Sequence, residues 1–351
     1  MGYLKSLGRP AVALLTCAAF LLSGSALAAS TPLKISLSAA DSAAVAGATS
    51  HFLSATPKNN LAPGLPVLRT DIGERGNGGG GGGAYRYPAD LINNGGPTIA
   101  TSVQVALYLY PTGSVCVSPS IACWGNANQF LTDLNASNFV HVTDQYVGTT
   151  ANNRYPFPNF YAVGNYSLPA NPLTDADMAA WAHAAATAVT AATGTNSFGY
   201  SHVYHIFLAP EQNVCFDTSY TVCSNNYFCG YHSSWVFTDG EVVYTVEPYQ
   251  LVPGCNVKPG TPNGAYDATY NVLSHEFFET VTDPEGSAYW NSVNNGIYGE
   301  EIGDECSFIK FFVGPPYVSF DPSTVWLNGH AYATQPEYSN RGHVCTTGGS
   351  N

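Results

Sequence analysis

The sequence predicts a disulfide-stabilised α+β protein, folded as a single mixed α/β domain. Three observations support this class: strand-like segments are followed by helix-like ones, there are nine cysteines, and aromatic residues (13%) outnumber charged ones (10%). A disordered chain would be richer in charge and poorer in aromatic side chains. The 351 residues carry 11 Lys and Arg against 24 Asp and Glu, a net charge of -13. Nucleic acid is therefore excluded as a partner, because no basic run is present to neutralise phosphates.

Residues 1–28 have the pattern of a secretory signal peptide. Lys5 and Arg9 precede an apolar run over residues 11–22, and Ala26-Leu27-Ala28 forms a small-residue cleavage site. The run is shorter than the roughly 20 residues that span a bilayer. We therefore expect a secreted, extracellular protein, with the periplasm or cell wall as alternatives, and no membrane span after signal cleavage.

Residues 29–96 show weak periodicity and contain six consecutive glycines, Gly78 to Gly83. Such a run cannot hold a helix or strand against its backbone entropy. No Lys-Ser/Thr pair follows it, so a phosphate-binding loop is excluded. We predict a flexible Gly-rich leader or pro-segment over residues 29–96 and a globular domain over residues 97–351.

Five segments of the globular domain have clear secondary-structure patterns. β-Branched and aromatic residues predict strands at residues 101–110, 202–208 and 241–246. Residues 173–192 predict a helix, with Thr174 and Asp175 as capping candidates and an Ala-rich body. Residues 267–282 predict a second helix, because apolar residues recur there at spacings of three and four before Pro284.

The cysteines predict four disulfides. Cys17 lies in the signal segment, which leaves an even number in an exported chain. Their spacing is too wide for the tight pairs of a zinc-thiolate cluster. Cys116 with Cys123 and Cys306 with Cys345 are the simplest pairings, and the other four are left unassigned. The eight residues are Cys116, Cys123, Cys215, Cys223, Cys229, Cys255, Cys306 and Cys345.

The sequence Ser-His-Glu-Phe-Phe-Glu at residues 274–279 predicts a metal site on the second helix. His275 and Glu279 are four residues apart and so share one helical face, where both can bind one metal ion, zinc being the expected cofactor. Glu276 follows the first ligand, as the general base does in zinc peptidases, and is the predicted catalytic residue that activates water. A capped amphipathic helix without any metal is the alternative.

A third ligand is expected from the acidic segment at residues 300–305. Glu301 is the predicted ligand, and Asp304 is either an alternative ligand or an acceptor that orients His275. Asp283 is a weaker candidate, because it adjoins the proline that ends the helix. Three further residues are candidates for stabilising negative charge in a transition state: His232, His330 and Tyr332.

A series of short motifs occurs in order in the globular domain, at residues 95–97, 203–208, 228–232, 274–279, 282–284, 301–306, 328–329 and 335–340. Together they resemble the EXORDIUM, or phosphate-induced protein 1, family of secreted proteins. The resemblance covers about residue 95 to the C-terminus. It implies an extracellular or cell-wall location, and it implies that His275, Glu279 and Glu301 belong to one site. It implies no particular activity.

These observations predict a zincin-like metallopeptidase or related hydrolase acting on a peptide, a protein or a cell-wall polymer. The alternative is a non-catalytic extracellular or cell-wall binding or signalling protein, in which the same residues form a structural or vestigial metal site.

Overall fold

The computed structural model describes residues 31–57, 90–117, 121–252, 255–257, 260–291, 301–307 and 323–349. The predicted signal peptide, residues 1–28, and the run from Gly78 to Gly83 lie outside the described residues.

The described chain alternates between strands and helices along most of its length. The strands are β1 Thr31–Ile35, β2 Thr49–Pro57, β3 Ile92–Asn93, β4 Val103–Pro111, β5 Phe160–Tyr166, β6 Leu173–Thr174, β7 His202–Leu208, β8 Val214–Cys215, β9 Phe228–Phe237, β10 Gly240–Glu247, β11 Tyr289–Trp290, β12 Ser323–Leu327, β13 His330–Thr334, β14 Glu337–Ser339 and β15 Val344–Thr346. The α-helices are α1 Ala39–Ala46, α2 Ile121–Trp124, α3 Ala127–Asn135, α4 Asp144–Val147, α5 Asp175–Thr193, α6 Asp267–Thr282 and α7 Asp304–Ser307.

A seven-stranded mixed sheet forms the centre of the protein, in the order β1-β5-β4-β7-β10-β9-β2. The first five strands of this order pair in parallel, whereas β9 pairs antiparallel with both β10 and β2. The mixed α/β class is therefore confirmed. The parallel core differs from the segregated strands and helices of an α+β fold, because parallel neighbours require crossover connections.

Strand β4 shows how the sheet is buried on both faces. Val105 and Leu107 pack in the same cluster as Met178 and Trp181 of α5. Ala106 and Tyr108 belong instead to the cluster that contains Leu273 and Phe277 of α6. Because successive strand side chains point to opposite faces, α5 and α6 cover opposite sides of the sheet.

The N-terminal segment differs from the predicted leader. Strand β1 pairs with β5 at one edge of the sheet, and β2 pairs with β9 at the other. Helix α1 lies against α5, where Asp41 contacts His183 at 3.3 Å. The domain therefore includes residues 31–57, ahead of the predicted boundary at residue 97. Both strands lie at an edge of the sheet and pair with one neighbour only. Main-chain pairing with β5 and β9, more than a hydrophobic pattern in their own sequences, identifies them as strands.

The five elements predicted in the globular domain are all present as β4, α5, β7, β10 and α6. Helix α6 and strand β7 have the predicted bounds, and the other three differ by one or two residues at their ends.

The four disulfides are confirmed. Two of them, Cys116–Cys123 and Cys306–Cys345, are the predicted pairs, and the remaining bonds are Cys215–Cys223 and Cys229–Cys255.

Within the described residues, no helix has the length and apolar character needed to cross a bilayer.

Helix α5 offers a test of the fold. Asp177 accepts hydrogen bonds from both the backbone N–H and the hydroxyl of Thr174 at 2.8 Å, which closes a capping box. We expect Thr174→Ala to lower the free energy of unfolding by about 1 kcal/mol in denaturant titrations. The control is Thr187→Ala, an exposed position in the middle of the same helix, which should not lower it. Equal effects of the two changes would refute the role of the cap.

Candidate metal centre

Helix α6 carries the predicted site into the interior of the protein. All sixteen of its residues are buried, and it packs against β9, β10 and β13. The helix thereby also buries the ionisable side chains of the predicted motif, His275, Glu276 and Glu279. Burying a carboxylate is costly unless it is paired, so the surroundings of these side chains determine what the site can bind.

The first donor group consists of His275, Glu279 and Asp304. The Nε2 atom of His275 lies 3.0 Å from Glu279 Oε1 and 3.6 Å from Asp304 Oδ1. The backbone N–H of Asp304 also donates to Glu279 Oε1 at 3.2 Å, which holds the start of α7 against α6. One donor atom from each residue lies within 4.8 Å of the others, so the group could hold a metal ion.

The second donor group shares Glu279 with the first. His232 on β9 places Nδ1 3.4 Å from Glu276 Oε2 and 3.6 Å from Glu279 Oε2. These three side chains are fully buried and could also hold a metal ion. The motif on α6 is therefore flanked on both sides by potential ligands from other elements, β9 on one side and α7 on the other.

Two further predicted residues, Glu301 and Asp283, lie outside the first donor group. Glu301 lies near His232, with Oε1 3.7 Å from His232 Nε2, so Asp304 rather than Glu301 completes the group of His275 and Glu279. Asp283 ends α6 and uses its carboxylate to accept the backbone N–H of Ala288 at 2.7 Å.

His330 and Tyr332 belong to a different polar cluster. Both hydrogen-bond to Asp133 on α3, at 2.8 Å and 2.6 Å. Asp133 also accepts from the amides of Gln129 and Asn328. This arrangement accounts for His330 and Tyr332 as partners of a buried carboxylate and not as members of either donor group.

Two buried carboxyl groups near the site were not predicted from the sequence. Glu337 on β14 is fully buried, and burial together with the charges of Glu279 and Asp304 raises its pKa well above the ordinary value. Glu247 ends β10 and is also fully buried; burial and the nearby charge of Glu276 raise its pKa in the same direction. Both positions are distant from the motif in sequence, and no spacing rule links them to it.

The ionisable side chains of the two donor groups differ strongly in how readily they hold a proton. Burial disfavours the charged imidazoles, but the surrounding carboxylates outweigh it and raise the pKa of His232 and His275 well above the ordinary value. Burial raises the pKa of Glu276, and the two histidines offset only part of that rise. For Glu279 the two histidines outweigh burial and lower the pKa to about 2. Glu279 is thus a fixed anion, whereas Glu276 takes up a proton more readily.

Two glycines allow other elements to approach the helix closely. A Cβ atom on Gly230 of β9 would lie 2.5 Å from Val272 Cγ1 and 2.9 Å from Glu276 Oε1. A Cβ atom on Gly303 would lie 2.7 Å from His275 Nδ1. All three distances are shorter than the contacts that real Cβ atoms make, so larger residues at these positions would push the flanking segments away from α6.

We therefore expect Gly230→Ala to lower the free energy of unfolding by about 1 to 3 kcal/mol, the usual cost of overpacking a core. The control is Gly47→Ala, because Gly47 has a negative φ and its nearest neighbour to an added Cβ is 3.8 Å away. This control should change stability by less than about 0.5 kcal/mol. If Gly230→Ala is equally harmless in denaturant titrations, β9 does not contact α6 as described.

A chain of buried polar groups runs through the sheet towards the site. Gln104 donates its amide to Ser102, so its Oε1 faces His205 Nε2 at 2.8 Å and that nitrogen must carry a proton. Burial lowers the pKa of His205 to about 3, which leaves His205 Nδ1 as an acceptor for the Thr245 hydroxyl at 2.8 Å. Thr245 has no second proton to offer Glu247 Oε1, 3.0 Å away. Glu247 is therefore a neutral carboxylic acid that donates to Thr245.

This assignment predicts that Glu247→Gln is tolerated, because an amide N–H can replace the carboxyl proton. A carboxyl whose pKa is higher in the folded than in the unfolded state loses stability as the pH rises above its unfolded value, here 4.5. Glu247→Gln should therefore equal the parent protein near pH 4 and become the more stable protein as the pH rises. Unfolding measured across this range would contradict the assignment if the variant lost stability relative to the parent at neutral pH.

Comparison of the chain with known protein families, with curated proteins and with solved structures finds no match in any of the three. The donor groups and their surroundings are therefore the basis on which function is inferred.

Proposed function

We propose that the protein is an exported zinc-dependent hydrolase, a peptidase that acts on extracellular peptides, proteins or peptide-containing cell-wall polymers. Zinc would be held by His275, Glu279 and Asp304, with Glu276 as the general base. The EXORDIUM resemblance of the sequence motifs and the four disulfides are consistent with export.

The observation that carries the proposal is the spacing of the first donor group. Zinc binds imidazole nitrogen and carboxylate oxygen at about 2.0 to 2.2 Å in a tetrahedron, which places neighbouring donor atoms about 3.3 to 3.6 Å apart. The distances from His275 Nε2 to Glu279 Oε1 and Asp304 Oδ1 are 3.0 Å and 3.6 Å. One neutral imidazole and two carboxylates also balance the charge of a divalent cation.

Glu276 fits the role of the general base in position and in proton affinity. It precedes Glu279 by three residues on α6, yet it lies outside the first donor group. Its raised pKa favours proton uptake, as a base that works near neutral pH requires. A bound zinc ion would supply the Lewis acidity that polarises a substrate carbonyl and activates water. Glu276 would accept the proton from that water and return it to the leaving group.

A non-catalytic metal site is the second candidate, and complete burial of the donors favours it. The side chains of His275 and Glu279 are inaccessible to solvent, and that of Asp304 is 13% exposed. A structural ion would also compensate the buried carboxylates, in an extracellular binding or signalling protein that has no peptidase activity.

Metal analysis and peptide cleavage separate the two candidates. We expect the purified mature protein and Glu276→Gln to retain one tightly bound zinc, and His275→Ala to lose it. Glu276→Gln should lower the rate of peptide cleavage by about 10² to 10⁴-fold, the usual contribution of a general base. The matched control is Glu211→Gln, an exposed glutamate that hydrogen-bonds to Ser114 and should keep both zinc and rate.

Full zinc content in His275→Ala would show that the ligands are assigned incorrectly. Zinc binding with an unchanged rate in Glu276→Gln would reject the catalytic role and leave the structural one.

A further inference from the structure

The second donor group has the features of a cation site in its own right. Glu279 faces the two groups with different oxygens, Oε1 towards His275 and Oε2 towards His232. The Oε2 atom is buried and has no hydrogen-bond partner within the described residues. Occupation of the first group through Oε1 therefore leaves a second anionic oxygen directed at His232.

The tautomer of His232 is fixed by the end of α6. Its Nε2 atom lies 3.2 Å from the backbone carbonyl oxygen of Asp283, and a carbonyl can only accept, so Nε2 carries a proton. A binding cation displaces the proton from Nδ1, and the lone pair of Nδ1 then faces the carboxylate oxygens of Glu276 and Glu279. Metal-binding histidines in proteins usually donate their other N–H to a backbone carbonyl or a carboxylate in this way.

We propose that His232, Glu276 and Glu279 bind a second divalent cation, zinc among them, and that this cation inhibits the enzyme. Nδ1 of His232 and the Oε2 atoms of the two glutamates are the donors, a set of one nitrogen and two oxygens that zinc accepts. Two cations that share Glu279 repel each other, so the second binds more weakly than the first. Glu276, once bound to a cation, cannot accept a proton. The binding stands without the proposed function, whereas the inhibition rests on it.

Zinc titration of the metal-stripped mature protein tests the binding. Calorimetry and elemental analysis should find two ions per wild-type chain, the second at least tenfold weaker than the first. His232→Gln should bind one, because glutamine places an N–H near the position of Nε2 but offers nothing at Nδ1. Glu276→Gln, which keeps the shape of the side chain without its charge, should also bind one. His275→Ala should lose the tight site.

His343→Gln is the matched control, since this exposed histidine contacts Asp90 and belongs to neither donor group. It should bind two ions, like wild type. A wild-type chain that saturates with one ion would overturn the proposal, and so would two ions in both His232→Gln and Glu276→Gln. Loss of the weak ion in His343→Gln would place that ion at the surface and also reject the proposal.

The inhibitory effect has a separate readout. For each protein, the cleavage rate at one equivalent of zinc is divided by the rate at an excess that fills the weak site. This ratio should be at least ten for wild type and near one for His232→Gln. Two bound ions with a ratio near one in wild type would reject inhibition. If wild type cleaves no peptide, the proposed function fails, while the titration still decides whether the second site exists.

Discussion

The structure depends on how the negative charge around α6 is compensated. The helix is buried on every side, and it brings Glu276 and Glu279 next to Glu301, Asp304 and Glu337, which are also buried. Moving a carboxylate out of water costs several kcal/mol unless nearby groups stabilise its charge. Within the described part of the chain, the imidazoles of His232 and His275 form ion pairs with four of these carboxylates. Carboxylates outnumber these two imidazoles, and a bound cation would compensate part of their negative charge.

The same requirement explains the packing around the helix. Gly230 and Gly303 lack side chains where β9 and the segment before α7 approach α6, and this brings His232 and Asp304 within reach of Glu279. Disulfides adjoin both segments: Cys229 precedes Gly230 and is bonded to Cys255, and Cys306 closely follows Asp304 and is bonded to Cys345. Crosslinks at these positions restrict the motion of the segments that present the ligands, so they support the geometry of the site as well as stability.

The sequence is informative where a feature is local, and α6 is the clearest case. The apolar spacing and Pro284 give both ends of the helix, and the four-residue spacing places His275 and Glu279 together. Long-range pairing is not encoded in such patterns. Strands β1 and β2 are edge strands with little periodicity, and they become recognisable only through β5 and β9.

The choice of the third ligand shows the same limit. Glu301 and Asp304 are three residues apart and chemically equivalent as donors, so the turn before α7 decides which of them meets His275. His232 is likewise brought in by the register of β9. Glu337 and Glu247 come from strands whose sequences contain no metal-binding pattern. Their burial and raised pKa values mark them as part of the site's surroundings only once the structure is known.

The number of donors in the first group bears on its proposed role. Structural zinc sites usually close the ion with four protein ligands, whereas catalytic sites use three and keep one position for water or substrate. His275, Glu279 and Asp304 supply three donors, and Glu276 lies beside them within the neighbouring group. In the proposed mechanism, Glu276 accepts a proton while the first group alone is filled and becomes a ligand when a second cation binds. Glu279 belongs to both groups and would therefore couple their occupation, because a cation beside His232 would share the carboxylate charge that holds the cation beside His275.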